Sequence, residues 1–107
     1  FFARSHYEEA LADFRKSLEL DPKSYKAAYY EGIICSVLKD YPRALDAFNL
    51  ALEINSYQPY CFYRRGQAYF HLEDYPKALA DCEAALALES FDGAQKLKQI
   101  ILKKLKM

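Results

Sequence analysis

The chain has 107 residues, 52% of them hydrophobic, and its fifteen basic and fifteen acidic side chains cancel to a formal charge of zero. That is enough apolar material for one continuous core in a single small domain, and the balanced charge supplies no bulk attraction to nucleic acid or an anionic membrane. No apolar run nears the roughly 18 residues that span a bilayer, and the first residues lack a charged segment followed by an apolar core.

In chain order, the first pattern is Tyr7, Ala10, Leu11, Phe14, Leu18 and Leu20. It recurs about 34 residues later as Tyr41, Ala44, Leu45, Phe48, Leu52 and Ile54, and again as Tyr75, Ala78, Leu79, Cys82, Leu86 and Leu88. The upstream half repeats at the same period: Tyr29, Gly32 and Cys35 return as Tyr63, Gly66 and Tyr69, while Phe1 and Phe2 align with Cys35-Ser36 and Tyr69-Phe70. Within each copy the apolar residues fall at i, i+3, i+4 and i+7, as in Ala44, Leu45, Phe48, Ala51 and Leu52, so each copy is helical with one buried face.

Residues 1–24 are expected to form a partial repeat lacking most of its first helix, about ten residues of which would precede Phe1 on the period. The copies at 25–58 and 59–92 each split into two helices. Asp40-Tyr41-Pro42 and Asp74-Tyr75-Pro76 place a capping aspartate ahead of a proline in the first helical turn, where its missing N–H is harmless. Asp21-Pro22-Lys23-Ser24, Asn55-Ser56-Tyr57-Gln58-Pro59 and Ser90-Phe91-Asp92-Gly93 are the turns between copies. Residues 93–107 read as a capping helix, with Ala94, Leu97, Ile100, Ile101 and Leu105 as its apolar stripe and Lys96, Lys98, Lys103, Lys104 and Lys106 around it.

These residues resemble the tetratricopeptide repeat family, whose pattern runs W-x2-L-G-x2-Y, then A-x3-F, then A and P. Gly32, Ala44, Phe48 and Ala51 fit it in the middle copy; Gly66, Tyr69, Ala78 and Ala85 fit in the third; Ala10, Phe14 and Pro22 fit in the first. Ala28 and Phe62 stand in place of Trp, Glu31 and Arg65 in place of Leu, Cys82 in place of Phe, and Ser56 and Ser90 in place of Pro. The resemblance implies one all-α domain over 1–107, a right-handed superhelical solenoid of antiparallel helix pairs with a C-terminal cap. The signature residues encode packing: Gly32 and Gly66 let a first helix approach Ala44 and Ala78 of its partner.

The resemblance also implies a protein–protein interaction scaffold, with the first helices of the repeats lining a concave groove. The groove residues would be Lys26, Tyr29, Tyr30 and Ile33 on the helix from Tyr25, and Tyr60, Tyr63, Arg64, Gln67, Phe70 and His71 on the helix from Pro59. Aromatic side chains beside an arginine are what protein-binding surfaces favour, though Tyr29 and Tyr63 also suit packing between helices. Residues 23–39 and 59–72 each carry +2, whereas 8–21, 40–55 and 73–89 carry −3, −2 and −4, so the expected ligand is a peptide or protein segment of acidic character.

The family's carboxylate clamp, which grips Glu-Glu-Val-Asp tails of chaperones, is matched only at Arg64: Tyr30 stands where it needs asparagine and Tyr60 where it needs lysine. A co-chaperone-type adaptor with a degenerate clamp, or a docking arm of a larger protein or enzyme, is the alternative. No clustered nucleophile and base, metal set or phosphate loop is visible, so no enzyme, cofactor or metal is expected. Three cysteines, Cys35, Cys61 and Cys82, lack close pairing; core positions, no disulfide framework and a reducing, cytoplasmic setting are expected. RNA-reading arrays need polar code residues at fixed places, but Lys26 is matched by Tyr60 and Tyr30 by Arg64, so no nucleic acid is expected. Self-association through Phe1, Phe2, Ala10 and Phe14 of the partial repeat stays open.

Overall fold

A computed structural model describes residues 4–106, with side chains from His6 onward, and Phe1 and Phe2 lie outside the described residues. Among the described residues there are six helices and no strand: α1 (Arg4–Leu20), α2 (Tyr25–Val37), α3 (Tyr41–Ile54), α4 (Pro59–His71), α5 (Tyr75–Leu88) and α6 (Asp92–Leu105). No described helix is long and apolar enough to cross a membrane. The chain divides into two compact units, Phe1–Ser56 and Tyr57–Met107.

In the first unit α2 packs on both α1 and α3. Its core is Leu11, Ala27, Ala28, Cys35, Ala44, Ala47, Phe48, Ala51 and Leu52, all buried. α1 is longer than α3 at its N-terminal end. Arg4, Ser5 and His6 continue the helix, although they align with the turn residues Leu38, Lys39 and Asp40. His6 and Glu8 stand where the second copy has its capping Asp40 and its Pro42, so nothing in the first copy stops the helix there.

In the second unit α5 packs on α4 and on α6, and α4 also touches α6. Ala78, Cys82, Leu97 and Ile101 form a buried cluster against which Tyr63, Tyr69, Phe70, Tyr75 and Leu79 pack. The stripe read on α6 is only partly covered. Ala94, Leu97 and Ile101 are buried, but Ile100 and Leu105 are 47% and 44% exposed.

The hairpin turns α2–α3 and α4–α5 are built alike. Asp40 N–H donates to the Cys35 carbonyl and Lys39 N–H to that of Ser36, while Asp74 N–H donates to Tyr69 and Glu73 N–H to Phe70. This is the paired C-terminal bonding of a Schellman motif, which needs a left-handed residue. Lys39 and Glu73 supply it at φ 62° and 64°, without glycine. The next residue then caps the following helix: the Asp40 carboxylate accepts from Arg43 N–H and the Asp74 carboxylate from Lys77 N–H, each at 3.4 Å.

The two signature glycines meet different neighbours. A Cβ on Gly66 would lie 3.3 Å from the Ala78 carbonyl oxygen and 3.2 Å from Asp81 Cβ, the helix-to-helix approach expected from the repeat. At Gly32 the obstacle is the Phe48 ring rather than Ala44, with Cζ at 2.8 Å, because the aromatic side chain fills the space between α2 and α3.

Candidate functional site

On α2 the apolar face buries Ala27, Ala28, Gly32 and Cys35. The residues expected at the binding surface lie beside it. Lys26 and Tyr30 are exposed, Tyr30 to 49%, whereas Tyr29 and Ile33 are half-buried. Tyr29 packs inward, with its ring 6.1 Å from Phe48 and 5.4 Å from Tyr30. Tyr30 in turn stacks on Phe14 at 5.9 Å and 20°, so Phe14 of the partial repeat is half covered by an α2 tyrosine.

On α4 the same division recurs. Tyr60 is 51% exposed, Arg64 and His71 are exposed, and Tyr63, Gln67 and Phe70 are half-buried. Phe70 is largely a packing residue, in edge contact with Tyr75 at 5.6 Å and against the buried cluster. Tyr63 sets its ring edge-on to Phe91 at 5.4 Å and 89°, and its hydroxyl accepts from Gln67 Nε2 at 3.1 Å. The Arg64 guanidinium carbon lies 5.7 Å from the Tyr63 ring centroid, and one nitrogen donates to Gln67 Oε1 at 3.4 Å. Gln67 therefore ties Tyr63 and Arg64 into one row on one face of α4, which limits the rotamers Arg64 must give up on binding. No carboxylate pairs with Arg64 among the described residues.

Two members of this surface escape a reading of the helices alone. Phe91, in the turn before α6, supports both tyrosines, its ring lying 4.8 Å from that of Tyr60. Glu89, at the end of α5, accepts a hydrogen bond from the Tyr60 hydroxyl at 2.7 Å. The partners are 29 positions apart, so no helical spacing links them. The carboxylate brings negative charge to the position where a clamp would present lysine.

The charged departures from the signature also find partners. Arg65 makes a two-pronged contact with the buried Asp81, 2.9 Å from Nε and 2.7 Å from Nη2, and the hydrogen bond to Asp81 raises the guanidinium pKa further. Glu31, one period earlier, takes Arg15 Nε at 3.0 Å. Both pairs lie 16 residues apart, a spacing that bridges a helical hairpin, and both residues are therefore structural. Cys35, Cys61 and Cys82 are buried free thiols, pushed up to about 11, 12 and 11 chiefly by burial, which suits core residues and not nucleophiles. The described residues hold no group of three or more metal-ligating side chains.

Comparisons with known proteins agree with this architecture. Two tetratricopeptide repeat profiles match the chain, over residues 1–59 and residues 59–92. The chain is similar to the first tetratricopeptide domain of Spaghetti (RPAP3) bound to the HSP90 peptide SRMEEVD, at 27% identity and TM-score 0.93, covering 96% of this chain and 82% of that one. The first such domain of human RPAP3 gives 28% identity and TM-score 0.90, covering 94% and 80%. YrrB, a tetratricopeptide protein with an unusual peptide-binding site, gives 26% and 0.82, covering 87% of this chain and 48% of that one. A search of curated protein sequences returns no match. With a repeat profile spanning more than half of its length and the helical hairpins that the profile describes, the chain belongs to the tetratricopeptide repeat family.

Proposed function

We propose that the chain is a protein-interaction module that binds an acidic peptide or protein segment on the exposed face of α4. The observation that carries this reading is Arg64: an exposed guanidinium, oriented by Gln67 and the Tyr63 ring, with no carboxylate of its own among the described residues. Tyr60 adds a half-exposed aromatic surface on the same helix, and Tyr30 and Lys26 offer a comparable surface on α2. A carboxylate on the ligand would pair with the Arg64 fork while its apolar neighbours lie on the tyrosine rings.

Similarity to a domain bound to SRMEEVD supports a peptide ligand, and that peptide is itself acidic. The same similarity favours a second reading, a co-chaperone-type adaptor with a degenerate clamp. Arg64 fits that reading, but Tyr60 is engaged by Glu89 and stands in place of the clamp lysine. A ligand with a carboxylate at Arg64 and a neutral or donating group at Tyr60 fits this surface better than one with carboxylates at both. The module acts by binding, with no chemistry of its own, and its three free cysteines suit a reducing, cytoplasmic setting.

Fluorescence anisotropy with labelled SRMEEVD tests both readings. Binding that weakens with added salt and falls about tenfold or more in Arg64→Glu is expected. Affinity unchanged by salt and by Arg64→Glu contradicts the assignment of Arg64. Tighter binding in the Tyr60→Lys, Glu89→Gln double variant would identify the missing clamp charge as the difference from a chaperone-tail adaptor.

A further inference from the structure

We propose that the groove between α5 and α6 is a second docking surface, built for an acidic segment of a partner protein that carries one bulky apolar side chain. The groove has a volume of about 700 Å³ and is lined by Leu86, Gln95, Lys96, Lys98, Gln99 and Ile100. It shares no residue with the α4 surface. Its apolar part is Leu86 and Ile100, the latter 47% exposed although α6 already buries Ala94, Leu97 and Ile101 in the core.

The charged side chains that line the groove are both basic. Two lysines and two amides line the groove and no carboxylate does. α6 as a whole sets Lys96, Lys98, Lys103 and Lys104 against one acid, Asp92. Lys98 is partly neutralised by Glu83 at 3.7 Å, while Lys96 pairs with no carboxylate among the described residues. An occupant that seats an apolar side chain on Leu86 and Ile100 must bring its own carboxylates to Lys96 and, by exchange with Glu83, to Lys98.

A basic helix with exposed apolar residues also raises the prospect of a membrane surface. Membrane-lying helices turn a continuous apolar face outward. Here that face is spent on the core, and only Ile100 and Leu105 remain outside it. A groove lined by two apolar side chains suits a single apolar side chain better than a sheet of lipid.

The test is anisotropy with a fluorescein-labelled, end-capped peptide of glutamate pairs separated by leucines, alongside its lysine–leucine counterpart. The acidic peptide should bind and the basic one should not. In the Arg64→Glu background, which removes the α4 anchor, the acidic peptide should still bind, and Lys96→Glu and Ile100→Ser should each weaken that remaining binding about tenfold, with unchanged far-UV circular dichroism as proof of folding. Loss in Arg64→Glu but not in Lys96→Glu would assign the peptide to α4 and overturn the proposal. Absence of acidic-peptide binding also overturns it, and co-sedimentation with phosphatidylserine vesicles that Lys96→Glu abolishes would then identify a membrane contact instead.

Discussion

The two units follow one repeat signature and solve the packing problem differently. In the first, Phe48 fills the space between α2 and α3 and presses on the bare Gly32. In the second, Cys82 holds the corresponding place, and the bulk comes from Leu97 and Ile101 of a third helix and from tyrosines around them. A buried ion pair, Arg65–Asp81, then crosses the second hairpin, whereas the matching Glu31 of the first reaches a half-exposed Arg15. A repeat signature therefore prescribes where helices meet, and leaves open which atoms occupy the meeting place.

The largest expected difference follows from the aromatic. Phe48→Ala should cost about 3–5 kcal/mol, as large aromatic truncations in closed cores do. Cys82→Ala removes one sulfur atom and should cost far less. Equilibrium urea unfolding of the two variants measures the contrast, and equal losses would mean that the units are packed alike after all.

The ion pairs come next. Arg65→Leu leaves the Asp81 carboxylate buried and unpaired and should destabilise by about 3 kcal/mol or more. Arg15→Leu breaks an exposed pair worth less than about 1 kcal/mol. If Asp81 is the source of the penalty, Arg65→Leu combined with Asp81→Leu should recover much of the loss in the same urea experiment.

Gly32→Ala drives a methyl group into the Phe48 ring and should cost about 1–3 kcal/mol. Gly66→Ala brings a Cβ to 3.2 Å from Asp81 Cβ and 3.3 Å from the Ala78 carbonyl oxygen, tighter than ordinary contact, so the neighbours must give by a few tenths of an ångström, and the gain in helix propensity, about 1 kcal/mol, offsets that strain only in part. Differential scanning calorimetry should therefore show a lower Tm for both variants, with the larger drop for the first. A smaller shift is expected from the turns, where Lys39→Gly and Glu73→Gly remove left-handed strain of about 1 kcal/mol each at equivalent places in both units.

Much of this comparison could be read in the sequence, and the limits have physical causes. The helices and both hairpin turns were visible because apolar spacing and the Asp-Tyr-Pro starts are local signals. Gly66 and its approach to Ala78 followed from the same signature. The Phe48 obstacle at Gly32 did not, since it depends on a side-chain direction across two helices. Lys39 and Glu73 gave no warning of positive φ because residues at such turns are usually glycine. Arg65 and Glu31 looked like isolated departures, yet each had an opposite charge 16 positions away.

At the candidate site, exposure of Tyr30, Tyr60 and Arg64 agreed with their place off the packing face. The sequence did not reveal that Tyr63 leans on Phe91 or that Tyr60 is held by Glu89, both of which join one helix to a turn beyond the next helix. The exposure of Ile100 was hidden for another reason. It falls on the edge of the α6 stripe, where periodicity alone does not separate covered from uncovered positions.

The thiols give the comparison a pH axis that both units share. Their folded pKa values are raised, so the neutral thiol is favoured by folding and its contribution is fully present below the ordinary value of 9.0. That contribution is lost as pH rises from 9.0 toward about 11 for Cys35 and Cys82 and about 12 for Cys61. Urea midpoints should fall over this range, and a triple Cys→Ala variant should flatten the decline.

The most direct test of the account is an amide-resolved NMR titration with labelled protein and the unlabelled SRMEEVD peptide. Shifts concentrated at Tyr60, Tyr63, Arg64 and Gln67 on α4, and absent in Arg64→Glu, are the predicted result. Shifts confined to α5 and α6, or unchanged by Arg64→Glu, would contradict a binding surface centred on Arg64.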